Sequence, residues 1–200
     1  MALHIHLVRH GEVHNPEHVV YADLPGFGLS PLGLAQAREV ARYLGSAPVV
    51  AVWSSPLQRA LETAAPIAAR AGVPVSVDDR LTEWSLLGEW AGLKWDDLDE
   101  VKPGQLEVYL ADPTESKIGS ETLSALARRI TDAVRDVNQR HTDGDVVIVS
   151  HQDPVQAGRL ALTGRELSTL HRDKPTHGSV ITLTPGSSWH EVSYWEPDQE

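Results

Sequence analysis

Arg9 and His10 are the first residues of this 200-residue chain whose types and spacing suggest chemistry. They follow the segment 3–7, in which apolar residues alternate with histidines, and they precede Gly11. The alternation predicts a short buried strand that delivers both side chains to its carboxyl end, where open α/β sheets bind ligands. A histidine beside a permanent cation, at a glycine that lets the backbone turn and approach a ligand closely, suits an anionic, phosphate-like group.

Three further polar residues also follow predicted strands. Arg59 lies in the first turn of a helix that comes after the apolar run 49–53, and Glu83 lies in a loop after a strand at 73–77. His151 comes directly after the run 145–150, which has the strongest buried-strand pattern in the chain. We expect these side chains to gather at one edge of a sheet, at a topological switch point.

The elements that must position these residues alternate between strands and helices. This order predicts an α/β three-layer sandwich, in which a mostly parallel central sheet has helices on both faces. Segments 179–184 and 191–195 predict a C-terminal hairpin that adds an antiparallel edge strand. Four longer helices are predicted to start at Ser30-Pro31, Ser54-Ser55-Pro56, Ser120 and Asp153-Pro154.

Length and composition favour one domain over residues 1–200, because 41% hydrophobic residues suffice for one sizeable core. The pattern is weak across 84–119, where short helices around 95–101 and 106–110 could form a lid or insertion. No run approaches the ~20 apolar residues of a membrane span, and the start lacks a targeting signal, so we expect a cytoplasmic protein without a membrane partner.

Two compositional features exclude whole classes of mechanism. The chain has no cysteine, which excludes disulfides, thiol catalysis and Cys-ligated metal sites. Its formal net charge of −11 argues against a nucleic-acid partner, because such surfaces need clustered Lys and Arg.

Three motifs together resemble a known family. The segment Leu7-Val8-Arg9-His10-Gly11-Glu12 resembles the Arg-His-Gly signature of the histidine phosphatase superfamily, also called phosphoglycerate mutase-like. Segment 54–64, which contains Arg59, resembles its second motif, and Val149-Ser150-His151 resembles its third. The order and spacing of these motifs cover nearly the whole chain.

The resemblance implies a hydrolase, a phosphomonoesterase acting on a small phosphorylated metabolite and releasing inorganic phosphate. His10 would attack phosphorus as a neutral imidazole and form a phosphohistidine that water then hydrolyses. Arg9, Arg59 and a protonated His151 would bind the phosphoryl oxygens, and Glu83 would act as general acid. No cofactor or metal is expected, since the arginines supply the charge that a metal ion would.

The match to the family pattern is imperfect at several residues. Gln152 follows His151 where relatives commonly have glycine, and its side chain is a candidate substrate contact, the alternative being that it points aside. Asp153 is one residue too late for the acid of a related branch and is interpreted as a helix cap. Glu89 lies in the same loop as Glu83 and competes with it as the acid. Asn15 is offset from a phosphate-binding Asn in relatives, and it is either a substrate contact or an ordinary loop residue before Pro16.

Three other functions stay open. A phosphoglycerate mutase is one, although the arginine pair expected in its middle insertion is missing between Leu93 and Gly119. A metal-dependent hydrolase using His4 and His6 is a second, and a non-catalytic phospholigand-binding protein is a third. The physiological substrate and the oligomeric state are not determined by the sequence.

Overall fold

A six-stranded sheet forms the centre of the protein in the computed structural model, which describes residues 1–198. The strands are β1 (Ile5–Arg9), β2 (Val49–Ser54), β3 (Val75–Val77), β4 (Asp145–Ser150), β5 (Val180–Thr184) and β6 (His190–Trp195). Their order in the sheet is β3-β2-β4-β1-β5-β6. The first four are parallel, and β5 and β6 add antiparallel strands at one edge, which confirms the predicted sheet. The last two residues of the predicted domain 1–200 lie outside the described part of the chain.

Helices cover both faces of this sheet. They are α1 (Pro31–Tyr43), α2 (Gln58–Ala71), α3 (Leu98–Val101), α4 (Gln105–Ala111), α5 (Leu123–Arg140) and α6 (Gln152–Leu162). Alternate side chains of β4 enter two separate apolar cores: Val147 and Val149 pack with α1 and α2, and Val146 and Ile148 pack with α5. β4 is therefore buried along its whole length, which explains its continuous apolar sequence. No helix within residues 1–198 is long and apolar enough to cross a membrane.

The start of α1 is packed against the loop that follows β1. Ser30 is its N-cap and accepts a hydrogen bond from the Gly33 N–H at 3.0 Å, as predicted. A Cβ on Gly11 would lie 2.6 Å from the Gly33 carbonyl oxygen, and one on Gly33 would lie 2.0 Å from that of Glu12. Gly11 is not among the residues with positive φ, so it is needed for this backbone packing and not for a turn toward a ligand.

The starts of α2 and α5 differ from their predictions. α2 begins at Gln58 instead of within the Ser54–Pro56 segment, and the hydroxyl of Ser55 is bonded to His151. α5 begins at Leu123, where Thr122 accepts from the Ala125 N–H at 3.2 Å, so Ser120 does not cap it. In both cases several Ser, Thr or Pro residues lie together, and the sequence does not distinguish which of them ends the loop.

The segment 84–119 contains the predicted short helices as α3 and α4, and 3₁₀ turns at 85–90 and 95–97 precede α3. Trp84 and Trp90 are buried in the core, 1% and 0% exposed, whereas Trp95 lines a cavity. Movement of this segment as a lid stays a prediction.

Candidate active site

The carboxyl ends of β1 and β4 lie side by side and carry the central residues of the site. Arg9 is paired in register with Ser150, and the His10 N–H donates to the Ser150 carbonyl oxygen at 3.0 Å. A cavity of about 180 Å³ opens here, lined in part by Arg9, His10, Glu83 and Gln152. Arg59 and His151, which are 1% and 0% exposed, lie against His10.

His10 is held in one tautomer. Its Nδ1 lies 2.7 Å from the Gly11 carbonyl oxygen, which can only accept, so Nδ1 carries the proton and Nε2 keeps its lone pair. Arg59 Nε donates to Nε2 at 3.2 Å. Burial, followed by the positive charge of Arg59, lowers the pKa of His10 well below its usual value, so the ring is neutral at neutral pH. A neutral imidazole with an unprotonated Nε2 is the form that can act as a nucleophile.

Arg59 is fixed by the loop that follows β1. Its Nη2 donates to the Ala22 carbonyl oxygen at 2.6 Å, and its guanidinium lies 4.7 Å from the centroid of the Tyr21 ring. Ala22 has φ of 36°, a conformation that side chains other than glycine rarely adopt. The strain at Ala22 points to a constrained loop, and strained backbone of this kind clusters at functional sites.

Arg9 is fixed on the opposite side by the stretch before β5. Its Nη1 donates to Gln152 Oε1 at 2.9 Å and to the Pro175 carbonyl oxygen at 2.8 Å, and its Nη2 donates to His177 Nε2 at 2.7 Å. Burial, with the charge of Arg9, lowers the pKa of His177 to about 3, so His177 accepts as a neutral ring. Gln152, predicted to contact substrate, lines the cavity and also orients Arg9.

His151 is in contact with His10, but in a different protonation state from the one predicted. The two ring centroids lie 5.2 Å apart, and His151 Nε2 lies 2.8 Å from the Ser55 hydroxyl oxygen. Burial and the charges of Arg59 and Arg9 lower the pKa of His151 well below its usual value, so the expectation of a protonated ring is wrong for the free protein. His151 Nδ1 and Arg9 Nε are buried without a hydrogen-bond partner among residues 1–198, which leaves two polar groups for a ligand.

Glu83 is protonated at neutral pH, as a general acid must be. Burial, with the nearby charge of Asp153, raises its pKa to about 8. One carboxyl oxygen accepts from the Trp84 N–H at 2.8 Å. The competing candidate, Glu89, is exposed and is absent from the cavity lining. The geometry therefore favours Glu83 over Glu89 as a proton donor.

The backbone around Glu83 is held by Arg129, which the sequence analysis did not single out. Arg129 extends from α5 and donates through Nη1 to the carbonyl oxygens of Arg80 at 2.7 Å and Thr82 at 3.0 Å. A salt bridge with Glu121 fixes its other side, with 2.7 Å between Nε and Oε1. Nothing in the sequence marks Arg129, since an arginine on an amphipathic helix is typical of a solvated face. His177 was missed too, because it precedes a strand while the other candidates follow one.

Two predicted roles do not agree with the structure. Asn15 binds the backbone of its own loop, since Nδ2 donates to the Val19 carbonyl oxygen at 2.9 Å and Oδ1 accepts from the Val19 N–H at 3.2 Å. It does not line the cavity. Asp153 is not a helix cap, because α6 already begins at Gln152 and His151 occupies the cap position. Its side chain instead lines the cavity and accepts from the Tyr109 hydroxyl at 2.8 Å.

The two histidines considered for a metal site bind a carboxylate. His4 Nδ1 and His6 Nε2 lie 3.0 and 3.1 Å from the two carboxyl oxygens of Asp145. A second hydrogen bond joins His6 Nδ1 to the Thr182 hydroxyl. Across residues 1–198, no three His, Cys, Asp or Glu side chains are arranged to hold a metal ion.

Comparisons with known proteins identify the family of the chain. The chain is 45% identical over 195 residues to an uncharacterized protein of Mycobacterium tuberculosis (strain ATCC 25618 / H37Rv), and the match covers 96% of each chain. It is 32% identical over 163 residues to phosphoserine phosphatase 1 of Hydrogenobacter thermophilus, covering 81% of this chain and 77% of that protein. The solved structure of mycobacterial glucosyl-3-phosphoglycerate phosphatase in complex with VO3 superimposes with a TM-score of 0.86 at 27% identity, covering 98% of this chain and 100% of that one. A family model for the histidine phosphatase superfamily (branch 1) matches residues 5–196, and the chain belongs to that superfamily.

Proposed function

We propose that this histidine phosphatase hydrolyses a small phosphomonoester in two steps, through a phosphohistidine on His10. Nε2 attacks phosphorus and the alcohol leaves. Water then cleaves the bond between phosphorus and nitrogen and releases inorganic phosphate. Dividing the displacement in this way replaces one difficult step with two easier ones.

The observation that carries the proposal is the hydrogen bond from His10 Nδ1 to the Gly11 carbonyl oxygen. It fixes the ring with the Nε2 lone pair directed at the group of side chains that can bind a phosphoryl oxygen. Arg59 already contacts that nitrogen, and Arg9 Nε and His151 Nδ1 are buried polar groups without protein partners among residues 1–198. Donors held in place before the reaction stabilise the charge that develops on the oxygens in the transition state.

Glu83 supplies the proton that the departing alcohol needs. With a pKa of about 8 it is protonated at neutral pH, and after the first step its carboxylate can accept a proton from the attacking water. Asp153 lines the same cavity, and its charge adds to burial in raising the pKa of Glu83, which keeps the acid protonated.

A phosphatase fits the cavity better than a mutase. The segment 84–119 contributes Leu87, Trp95 and Tyr109 to the lining, and among the described residues it contributes no lysine or arginine there. A mutase must hold a phosphorylated acid for return of the phosphoryl group, which calls for cations in that segment.

Release of inorganic phosphate from a panel of phosphomonoesters tests the proposal. We expect turnover by the wild type and by His14→Ala, because His14 is exposed and bonds through its backbone. His10→Ala should lose the activity while keeping the thermal unfolding profile of the wild type. A wild-type protein that binds phosphate and releases none from the whole panel would be the non-catalytic binding protein instead.

A further inference from the structure

Arg9, the cation in the cavity, already uses most of its N–H groups in hydrogen bonds to the protein. Among residues 1–198, Arg9 is the only lysine or arginine in the cavity lining. Its terminal nitrogens Nη1 and Nη2 already donate to Gln152, Pro175 and His177. This leaves Nε, which the proposed function assigns to the phosphoryl group, and one of the two Nη2 N–H groups. A carboxylate on the rest of the substrate would therefore find no second cation in the part of the lining that the structure describes.

Asp153 places a negative group in the same cavity. Its side chain is buried, with the residue 1% exposed, yet it forms no salt bridge with any residue in the range 1–198. Oδ2 accepts from the Tyr109 hydroxyl at 2.8 Å, and Oδ1 accepts from Gln152 Nε2 at the longer distance of 3.3 Å. A carboxylate has about four acceptor sites, so Asp153 can accept at least one more hydrogen bond from a ligand.

The remaining walls restrict the size of the ligand. They include the rings of Tyr21, Trp95 and Tyr109, and the cavity volume of about 180 Å³ is below the roughly 300–1,000 Å³ of pockets for drug-sized ligands. A short alcohol fits this space.

We propose that the substrate is the phosphomonoester of a short alcohol that carries a hydroxyl or ammonium donor for Asp153 and no carboxylate. The inference rests on the proposed phosphatase function and narrows its substrate class. It separates this chain from relatives whose names refer to phosphoserine and to a phosphoglycerate, both of which carry a carboxylate. A substrate with a carboxylate on its alcohol part would have to bury that charge near Asp153 without a cationic partner of its own, which is costly.

Three phosphomonoesters of similar size test the proposal in the wild-type protein. sn-Glycerol 3-phosphate offers hydroxyls, phosphoethanolamine offers an ammonium, and 3-phosphoglycerate carries a carboxylate. We expect kcat/KM for the better of the first two to exceed that for 3-phosphoglycerate by about 10- to 100-fold, the range for a charged hydrogen bond. Which of the two is better identifies the donor. Equal or faster turnover of 3-phosphoglycerate would overturn the proposal.

A pair of variants assigns the selectivity to Asp153. Asp153→Asn keeps the shape and removes the charge, and it should reduce the preference over 3-phosphoglycerate by about tenfold. If the substitution also affects Glu83, it changes kcat/KM for both substrates, and this effect cancels in their ratio. Asp96→Asn makes the same change at an exposed residue outside the lining and should leave the ratio unchanged. An unchanged ratio in Asp153→Asn would contradict the assignment.

The proposed function can fail separately. If none of the three compounds nor p-nitrophenyl phosphate releases phosphate, the phosphatase function is wrong. Calorimetry then gives the dissociation constants of the same three compounds. Weaker binding of 3-phosphoglycerate than of the other two supports the inference, and equal or tighter binding overturns it.

Discussion

Arg59 Nε donates its hydrogen bond to His10 Nε2, the nitrogen that we propose attacks phosphorus. The lone pair needed for attack is thus covered by the cation that later binds the phosphoryl oxygens. Substrate must draw the Arg59 N–H away from the ring, so binding of the phosphoryl group and exposure of the nucleophile occur together. In the free protein the same contact keeps His10 unprotonated, since the positive charge of Arg59 adds to burial in lowering its pKa.

Arg59→Lys should reduce kcat/KM by about 100- to 1,000-fold, the usual effect of losing one preorganised donor. A lysine ammonium cannot bond the Ala22 carbonyl oxygen and the phosphoryl group with the planar fork of a guanidinium. Arg42→Lys, at an arginine side chain that is 68% exposed, is the matched control and should behave as the wild type. Steady-state rates of phosphate release measure both, and a loss below threefold in Arg59→Lys would argue against its role.

The pH dependence should report Glu83. Its pKa of about 8 is raised, so the acid is protonated below that value and loses its proton as the pH rises through it. We therefore expect kcat/KM to fall with increasing pH above about 8, for a substrate that is already fully ionised there. Glu83→Gln should be slow and should lack this decline. A decline that persists in Glu83→Gln would assign it to another group.

The need for a general acid depends on the leaving group. p-Nitrophenol leaves readily without a proton, whereas an aliphatic alcohol does not. Glu83→Gln should therefore slow the first step with glycerol 3-phosphate by about 100-fold or more and affect p-nitrophenyl phosphate far less. Single-turnover rates with each compound measure that step, and equal losses with both would contradict the assignment of Glu83.

Arg129 should act as a positioning residue for Glu83. Arg129→Lys cannot bond the Arg80 and Thr82 carbonyl oxygens at once, so we expect kcat to fall about tenfold with KM nearly unchanged. The decline at high pH should also shift, because the environment of Glu83 changes. Arg128→Lys, one position earlier and exposed, is the control. If Arg129→Lys and the wild type have equal melting temperatures but different pH profiles of kcat, the substitution affects the position of Glu83 and not the stability of the fold. A pH profile equal to that of the wild type would contradict the role of Arg129.

The contact between Gly33 and the Gly11-Glu12 backbone should be sensitive to a single methyl group. Gly33→Ala would place Cβ 2.0 Å from the Glu12 carbonyl oxygen, and the backbone shift should lower the free energy of unfolding by about 1–3 kcal/mol. Gly88→Ala, where no atom lies within 4 Å of the added Cβ, should change it little. Urea denaturation of both variants gives the comparison, and equal midpoints would refute the packing argument.

Much of the fold follows from periodicity. The continuous apolar run of β4 and the Ser30-Pro31 start of α1 are local patterns, and the structure confirms both. Helix starts were less certain where several capping residues lie together, as at Thr122 and Ser120.

The sequence predicts those residues of the site that lie at the carboxyl ends of strands. Arg9 is the last residue of β1, and His10 and His151 come directly after β1 and β4, so strand order alone brings them together. Arg129 and His177 reach the site through tertiary contacts that leave no local pattern. The protonation of His151 was also not predictable, because it depends on burial beside two arginines.

Trapping the phosphoenzyme tests the central claim most directly. The wild-type protein is mixed with a phosphomonoester, quenched in alkali within milliseconds, digested and mapped by mass spectrometry. We predict an alkali-stable, acid-labile phosphoryl group on the peptide that contains His10, formed at the rate of turnover or faster, and phosphorus NMR should place it on Nε2. Steady release of phosphate with no phosphoryl group on His10 at any time would contradict the account.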